Sequence, residues 1–252
     1  MSGTLTNTKP KFSVAIKSEG YQRLINDTLG DKNLARDFVA NITSVVANNP
    51  KLQDCDPATI LSSGLMASSL KLPLSPTLGF AYVLPYGNKA QFQVGYKGII
   101  QLCQRSGQFE TIGVRAVHEG EYAGQNEFGE DLFKFDHQFD GAPIVGYFAY
   151  FKLLNGFKKT LYWTKEQCEA HGRKYSKSYG GLWTSAFDTM AQKTVLKMLI
   201  SKYAPMSVDM QKANLADQAV IKDDGTFEYV DNPADPTEPP TDEDGVVSPK
   251  ED

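Results

Sequence analysis

Three features of the 252-residue sequence point to an α+β domain. Apolar residues recur at helical spacing through the first 70 residues, strand-like alternation takes over after residue 80, and helical spacing returns near residue 164. No segment repeats another, so a solenoid or propeller is excluded.

Glu19 to Leu29 and Asn33 to Asn48 carry the first two helical patterns. Asp56-Pro57 opens a third, because an Asp carboxylate caps free N–H groups and proline is preset for the first helical position. Phe80 to Tyr86 and Lys89 to Val94 then read as two strands around Gly87-Asn88, with Gln91 and Gln93 on one face of the hairpin and Phe92 on the other. Gly95 to Ser106 is expected to be a helix that turns Ile99, Ile100, Leu102 and Cys103 inward, sets Lys97, Gln101 and Arg105 in one row by four-residue steps, and stops at Gly107. Strands follow at Glu110 to His118, Ile144 to Leu154 and Lys158 to Trp163. Thr164 and Gln167 form a capping-box pattern for a helix ending near Gly172, and a last helix covers Trp183 to Lys202.

Residues 57 to 109 contain no Asp or Glu, yet they hold Lys71, Lys89, Lys97 and Arg105. A backbone beside phosphates loses affinity with every nearby carboxylate, whereas amides and tyrosines bond to phosphate or sugar and stack on bases. This run therefore reads as a nucleic-acid surface. The net charge of −4 hides it, because residues 1 to 205 carry 23 basic and 17 acidic side chains while residues 206 to 252 carry 3 and 13. Within the body the basic charge concentrates again at 151 to 205, with ten basic and three acidic residues.

The division that follows is a flexible N-terminus (1–15), a core domain (16–212) and an acidic tail (213–252) that holds five of the thirteen prolines. Cys55, Cys103 and Cys168 are far apart and match no metal-site spacing, so reduced structural thiols are expected. The N-terminus lacks an apolar signal core and no run of 18 apolar residues occurs, which predicts a soluble, cytoplasmic protein.

Lys193 and Lys197 stand four residues apart on the last helix, a spacing at which like charges repel by a few tenths of a kcal/mol. An anion between them would reverse the sign; a plain solvated face is the competing reading. The loop before that helix alternates Arg173, Lys174 and Lys177 with Tyr175 and Tyr179, as a strand-binding groove would.

Four stretches in order carry a family likeness: LPLSPTLGFAYVLPYGNKAQFQVGYKGIIQLCQRSG, VRAVHEGE, LLNGFKKTLYWTKEQCEAH and SAFDTMAQKTVLKMLISKYAP. From about residue 20 to residue 211 the sequence resembles the RecT family of phage-type single-strand DNA annealing proteins. The resemblance implies a RecT/Red-beta-like annealing core. It also implies ATP-independent coating of single-stranded DNA, bases presented outward for pairing, ring or helical-filament oligomers, and a single-strand-binding protein or companion exonuclease as partners.

Annealing breaks no covalent bond, so neither cofactor, metal nor catalytic residue is expected, and the sequence has no phosphate loop of the G-x-x-x-x-G-K-[ST] type. Lys97, Lys177, Lys193 and Lys197 are the candidates for phosphate contact, supported by Lys89, Arg105 and Lys174. Gln91, Gln93 and Tyr96 are candidates for sugar, phosphate or base edges, while Tyr82, Tyr86 and Trp183 read better as core. The family pattern favours Arg where Lys197 stands, and Lys offers a point charge rather than a fork.

Two other function classes fit parts of the sequence. His118-Glu119-Gly120-Glu121 and Asp136 to Asp140 hold residue types of a metal-dependent nuclease, although the i, i+4 histidine pair of a helical zinc site is missing. A passive single-strand coating protein would share the groove and lack pairing activity.

Overall fold

The computed structural model describes residues 10–139, 141–176, 179–222 and 224–229. Five helices come first: α1 (Phe12–Ala15), α2 (Glu19–Leu29), α3 (Lys32–Ala47), α4 (Pro50–Gln53) and α5 (Pro57–Ser69). Side-chain acceptors start three of them, Ser18 for α2, Asp31 for α3 and Asp56 for α5, and Gly30 ends α2 at a φ of 68° that suits glycine. Phe12, Ile25, Phe38, Ile42, Leu52 and Ile60 bury their side chains together in this lobe.

The hairpin of β1 (Ala81–Tyr86) and β2 (Lys89–Val94) joins this lobe to the rest, and α6 (Tyr96–Arg105) follows directly. Val83 and Ala90 belong to the helical core, whereas Ala81, Phe92 and Val94 belong to a second one. That second core fills the space between α6, the sheet and the C-terminal helices. The sheet runs β3 (Phe109–His118), β6 (Ile144–Leu153) and β7 (Lys158–Thr164), all antiparallel in the order β3-β6-β7. A small hairpin, β4 (Tyr122–Gln125) with β5 (Asp131–Phe133), inserts between β3 and β6, and Phe133 rests against Phe148 and Tyr162 of the sheet. This α+β order matches the expectation. The β4–β5 hairpin was not anticipated, because the acidic, Gly-rich sequence there hides the alternation.

After the sheet come α7 (Lys165–Tyr175), opened by the Thr164/Gln167 capping box, then α8 (Leu182–Ser185), α9 (Phe187–Tyr203) and α10 (Val208–Ala216). The single helix expected over Trp183 to Lys202 is interrupted at Ala186, whose φ of −142° and ψ of 47° are not helical. Ahead of that break the buried Trp183 packs on Gly172, where an added Cβ would lie 2.7 Å from the indole.

The expected core boundary at residue 212 falls inside α10, and the structure corrects it. Ala213, Ala216, Asp217, Ala219, Val220 and Ile221 are all buried. Gln218 donates its N–H to the Phe92 carbonyl, Phe92 donates to the Ala219 carbonyl, and β8 (Val220–Ile221) then pairs with β9 (Phe227–Glu228). The residues after α10 thus satisfy the outer edge of β2, which would otherwise leave backbone groups unpaired. Composition misled because Ala, Asn and Asp supply little hydrophobicity, and the segment is held by backbone and charge.

Candidate nucleic-acid interface

The Gly95-Tyr96-Lys97-Gly98 turn is built by close backbone approach. Gly95 donates its N–H to the Phe80 carbonyl at 2.9 Å. A Cβ on Gly95 would lie 2.1 Å from the Gly79 carbonyl oxygen, and one on Gly98 would lie 2.2 Å from that of Phe80. Both positions therefore exclude any side chain. Gly95 is the N-cap of α6 and offers no side-chain acceptor, so the positive end of the helix dipole meets Lys97, which is exposed. Tyr96 is half-buried against the core, and Tyr82 lies close by, its hydroxyl 3.2 Å from where a Gly79 Cβ would be. Burial, with the neighbouring Tyr96, holds the Tyr82 phenol above its ordinary pKa.

The row Lys97, Gln101 and Arg105 forms on α6 as expected, but its far end is occupied. Arg105 Nη2 donates to the Leu70 carbonyl at 2.5 Å and so caps the C-terminus of α5. Gln101 is half-buried.

Gln91 and Gln93 share a face of β2, yet that face is not open. Their relative exposures are 5% and 6%, because α5 and the post-α10 segment flank a strand already paired with β1. The expected contact with a strand of DNA is not available to either amide in this conformation. A strand buried on both sides lacks the simple inside–outside alternation from which the exposed face was inferred.

Lys193 and Lys197 also differ from a free basic face. The anion between them is present, and it is the carboxylate of Asp217. Lys193 Nζ donates to Oδ1 at 3.0 Å, Lys197 Nζ to Oδ2 at 2.8 Å, and the Val94 N–H to Oδ1 at 3.0 Å. Lys193 is only 5% exposed, so the structure takes it out of reach of a phosphate; Lys197 keeps 31% of its side chain exposed. Burial pushes the Lys193 ammonium pKa down against the pull of Asp217. Burial alone would raise the Asp217 carboxyl, but the two ammoniums and their hydrogen bonds outweigh it and hold the group ionised below its ordinary range.

Lys89, at the other end of β2 from the glycine turn, places Nζ 2.9 Å from both oxygens of Glu228, and Lys222 reaches the same carboxylate at 3.7 Å. Asp56 and Asp224 border the cleft beside them, which mixes both signs of charge. α7 runs past the expected end near Gly172, so Arg173, Lys174 and Tyr175 lie on its last turn rather than in a loop: Lys174 is exposed with Nζ 5.0 Å from the Tyr175 ring centroid, while Arg173 pairs with Glu169 and lies over Tyr179. Lys177 lies outside the described residues. Of the predicted phosphate contacts, Lys97, Arg105 and Lys174 are exposed, Arg105 with its guanidinium on the Leu70 carbonyl, while Lys89, Lys193 and Lys197 are engaged with carboxylates. The sequence search missed Asp217 and Glu228; the repelling pair Lys193/Lys197 was the available signal for the first.

The nuclease candidates are absorbed by a turn. Glu121 is buried, accepts from the His118 N–H at 2.7 Å and pairs with Arg115 at 3.1 Å. His118 Nδ1 lies 2.6 Å from the Ala142 carbonyl. Among the described residues no group of three or more His, Cys, Asp or Glu could hold a metal ion, and Asp140 lies outside them. Cys103 and Cys168 are buried thiols with pKa values pushed up to about 12 by burial. Among the described residues no helix is long and apolar enough to cross a membrane.

The chain is 43% identical over 225 residues to the uncharacterized protein YqaK of Bacillus subtilis (strain 168), covering 88% of this chain and 76% of that protein. It is 31% identical over 185 residues to protein RecT of Escherichia coli (strain K12), covering 70% of this chain and 68% of that one. The family model described as the RecT family matches residues 36–236, a span that holds the glycine turn, Lys193, Lys197 and Asp217. On these matches the chain belongs to the RecT family.

Proposed function

We propose that this protein binds single-stranded DNA and anneals complementary strands in homologous recombination without ATP, metal or covalent chemistry. Family membership supports annealing in recombination as the general role. The observation that carries the molecular reading is the presentation of Lys97 on the uncapped N-terminus of α6, framed by two glycines and inside 53 residues without a carboxylate. Phosphate approaches such a turn with no carboxylate of its own segment to repel it, the nearby Asp217 being paired with two lysines, and the half-buried Tyr82 and Tyr96 stand beside it. Lys174 and Tyr175 extend the surface, and Lys177 and the exposed part of Lys197 add charge to it. Copies of the chain continue one groove as a ring or helical filament.

Residues 230–252 carry the remaining acidic charge and lie outside the described residues. In this reading they compete with DNA for the basic surface and dock a partner, either a single-strand-binding protein or a companion exonuclease. Their competition weakens as salt rises.

The test is annealing of complementary oligonucleotides after one of them has been coated, in EDTA and without nucleotide. Faster duplex formation is expected. Strict dependence on ATP, or metal-dependent cleavage of the strand, would overturn the mechanism; protection without faster pairing would assign the protein to passive coating instead.

A further inference from the structure

We propose that Asp217 is a positioning residue for DNA binding: it never touches the strand, and it sets where Lys97 stands. The proposal rests on the reading of Lys97 as a phosphate contact. Lys97 rides on a turn that enters α6 without a side-chain cap, so something else must fix that turn in space. One side is fixed by the backbone of Gly79 and Phe80, which fits against Gly95 and Gly98. The other side is fixed by Asp217, whose Oδ1 accepts the N–H of Val94, the residue just before Gly95.

The same carboxylate is anchored to α9 through Lys193 and Lys197, and its chain is anchored to β2 by the Gln218–Phe92 and Phe92–Ala219 hydrogen bonds. Gln218 adopts a φ of 65°, a left-handed conformation uncommon for a residue with a side chain, and it does so where the chain must turn from Asp217 to the Ala219 bridge. Asp217 thus ties the β2–α6 junction to α9 by hydrogen bonds, in addition to the apolar packing of Val94, Ile99 and Leu102 in the core they share with α9. Its side chain is fully buried, so it acts through the junction and not on solvent.

Charge alone predicts the opposite outcome, which makes the idea testable. Removing a carboxylate next to a basic surface adds one positive charge and should tighten DNA; removing a positioning group should weaken it. The double variant Lys193→Met/Asp217→Leu deletes one cation and one anion and removes the acceptor of the Val94 N–H, leaving the net charge unchanged and no buried ammonium without a partner. The measurement is the slope of log K against log salt for a single-stranded oligonucleotide, with the circular dichroism spectrum and melting temperature recorded in parallel.

The double variant is expected to lose about 0.7 of slope, the value of one single-strand phosphate contact. Lys97→Ala should lose the same amount, and adding Lys97→Ala to the double variant should lose nothing more. Lys193→Met alone keeps Asp217 on Lys197 and Val94 and should retain the full slope. A folded double variant with the full slope, or one whose loss adds to that of Lys97→Ala, overturns the proposal. A Lys97→Ala variant with the full slope would instead remove Lys97 from the interface and overturn the underlying reading. If the double variant does not fold, Asp217→Glu supplies the test: it keeps the charge within reach of two flexible lysines, moves the acceptor away from Val94, and should lose the same slope.

Discussion

Lys97 and Lys193 look alike in the sequence and end in opposite surroundings. Each lies on a helix, each has a further polar residue four positions on, and each reads as a phosphate contact. Lys97 is exposed on the first turn of α6, over backbone that approaches too closely for any side chain. Lys193 is buried and has its charge paired with Asp217. The difference teaches that a basic side chain reports a need for an anion without saying whether the anion is a ligand or part of the same chain. Lys89 and Lys197 fall between the two, partly exposed and paired with carboxylates from the C-terminal segment.

The sharpest way to break this contrast is to remove Asp217. Asp217→Ala leaves the buried Lys193 without its partner, and a broken buried pair costs about 3–5 kcal/mol, read as a large drop in urea midpoint. Truncation after Asn214 should be worse, since it also strips the edge of β2, whereas truncation after Tyr229 should leave the melting temperature unchanged. Equal stability of the two truncations would show that the post-α10 segment is dispensable for the fold.

The turn that carries Lys97 can be attacked from its packing. Gly95→Ala forces a methyl into the Gly79 carbonyl and should destabilise by about 1–3 kcal/mol, because backbone cannot swing aside as a side chain would. Chemical denaturation measures the loss, and a neutral outcome would mean the 79–80 segment moves freely. Acid provides a third route. Asp217 has a folded pKa below its ordinary 3.8, so its contribution is complete above that value and is lost as pH falls through the lower, folded value. The Asp217→Asn variant should therefore lack part of the steepening in stability that the parent shows below pH 3.8.

The smallest effect is expected at Lys89. Its pair with Glu228 is about two-thirds buried on each side and lies at the rim of a mixed-charge cleft, so Lys89→Ala should cost under about 1 kcal/mol and change the DNA salt slope little. A slope loss as large as that of Lys97→Ala would move Lys89 into the interface and erase the contrast.

Much of the fold was legible because local rules and tertiary packing agreed. Asp56-Pro57, the Thr164/Gln167 box and the Gly87-Asn88 turn each acted within a few residues, and the elements they bound appear close to the expected limits. Parts of the site were not legible for a common reason. Gln91 and Gln93 look solvent-facing only if β2 has one covered face, and the second cover arrives from residues 217–219, over 120 positions later. The role of Glu121, one of the residue types from which a metal-dependent nuclease could be built, likewise became visible only with its partner Arg115 and the His118 amide around it.

By itself the sequence determined the α+β order, the acid-free run and the likeness to the RecT family, all of which depend on residue type and short spacing. Only the tertiary structure decided which lysines face outward. Exposure and pairing are set by what lies opposite a side chain in space, and the carboxylates of Asp217 and Glu228 reach their lysines from a segment whose composition alone reads as a tail.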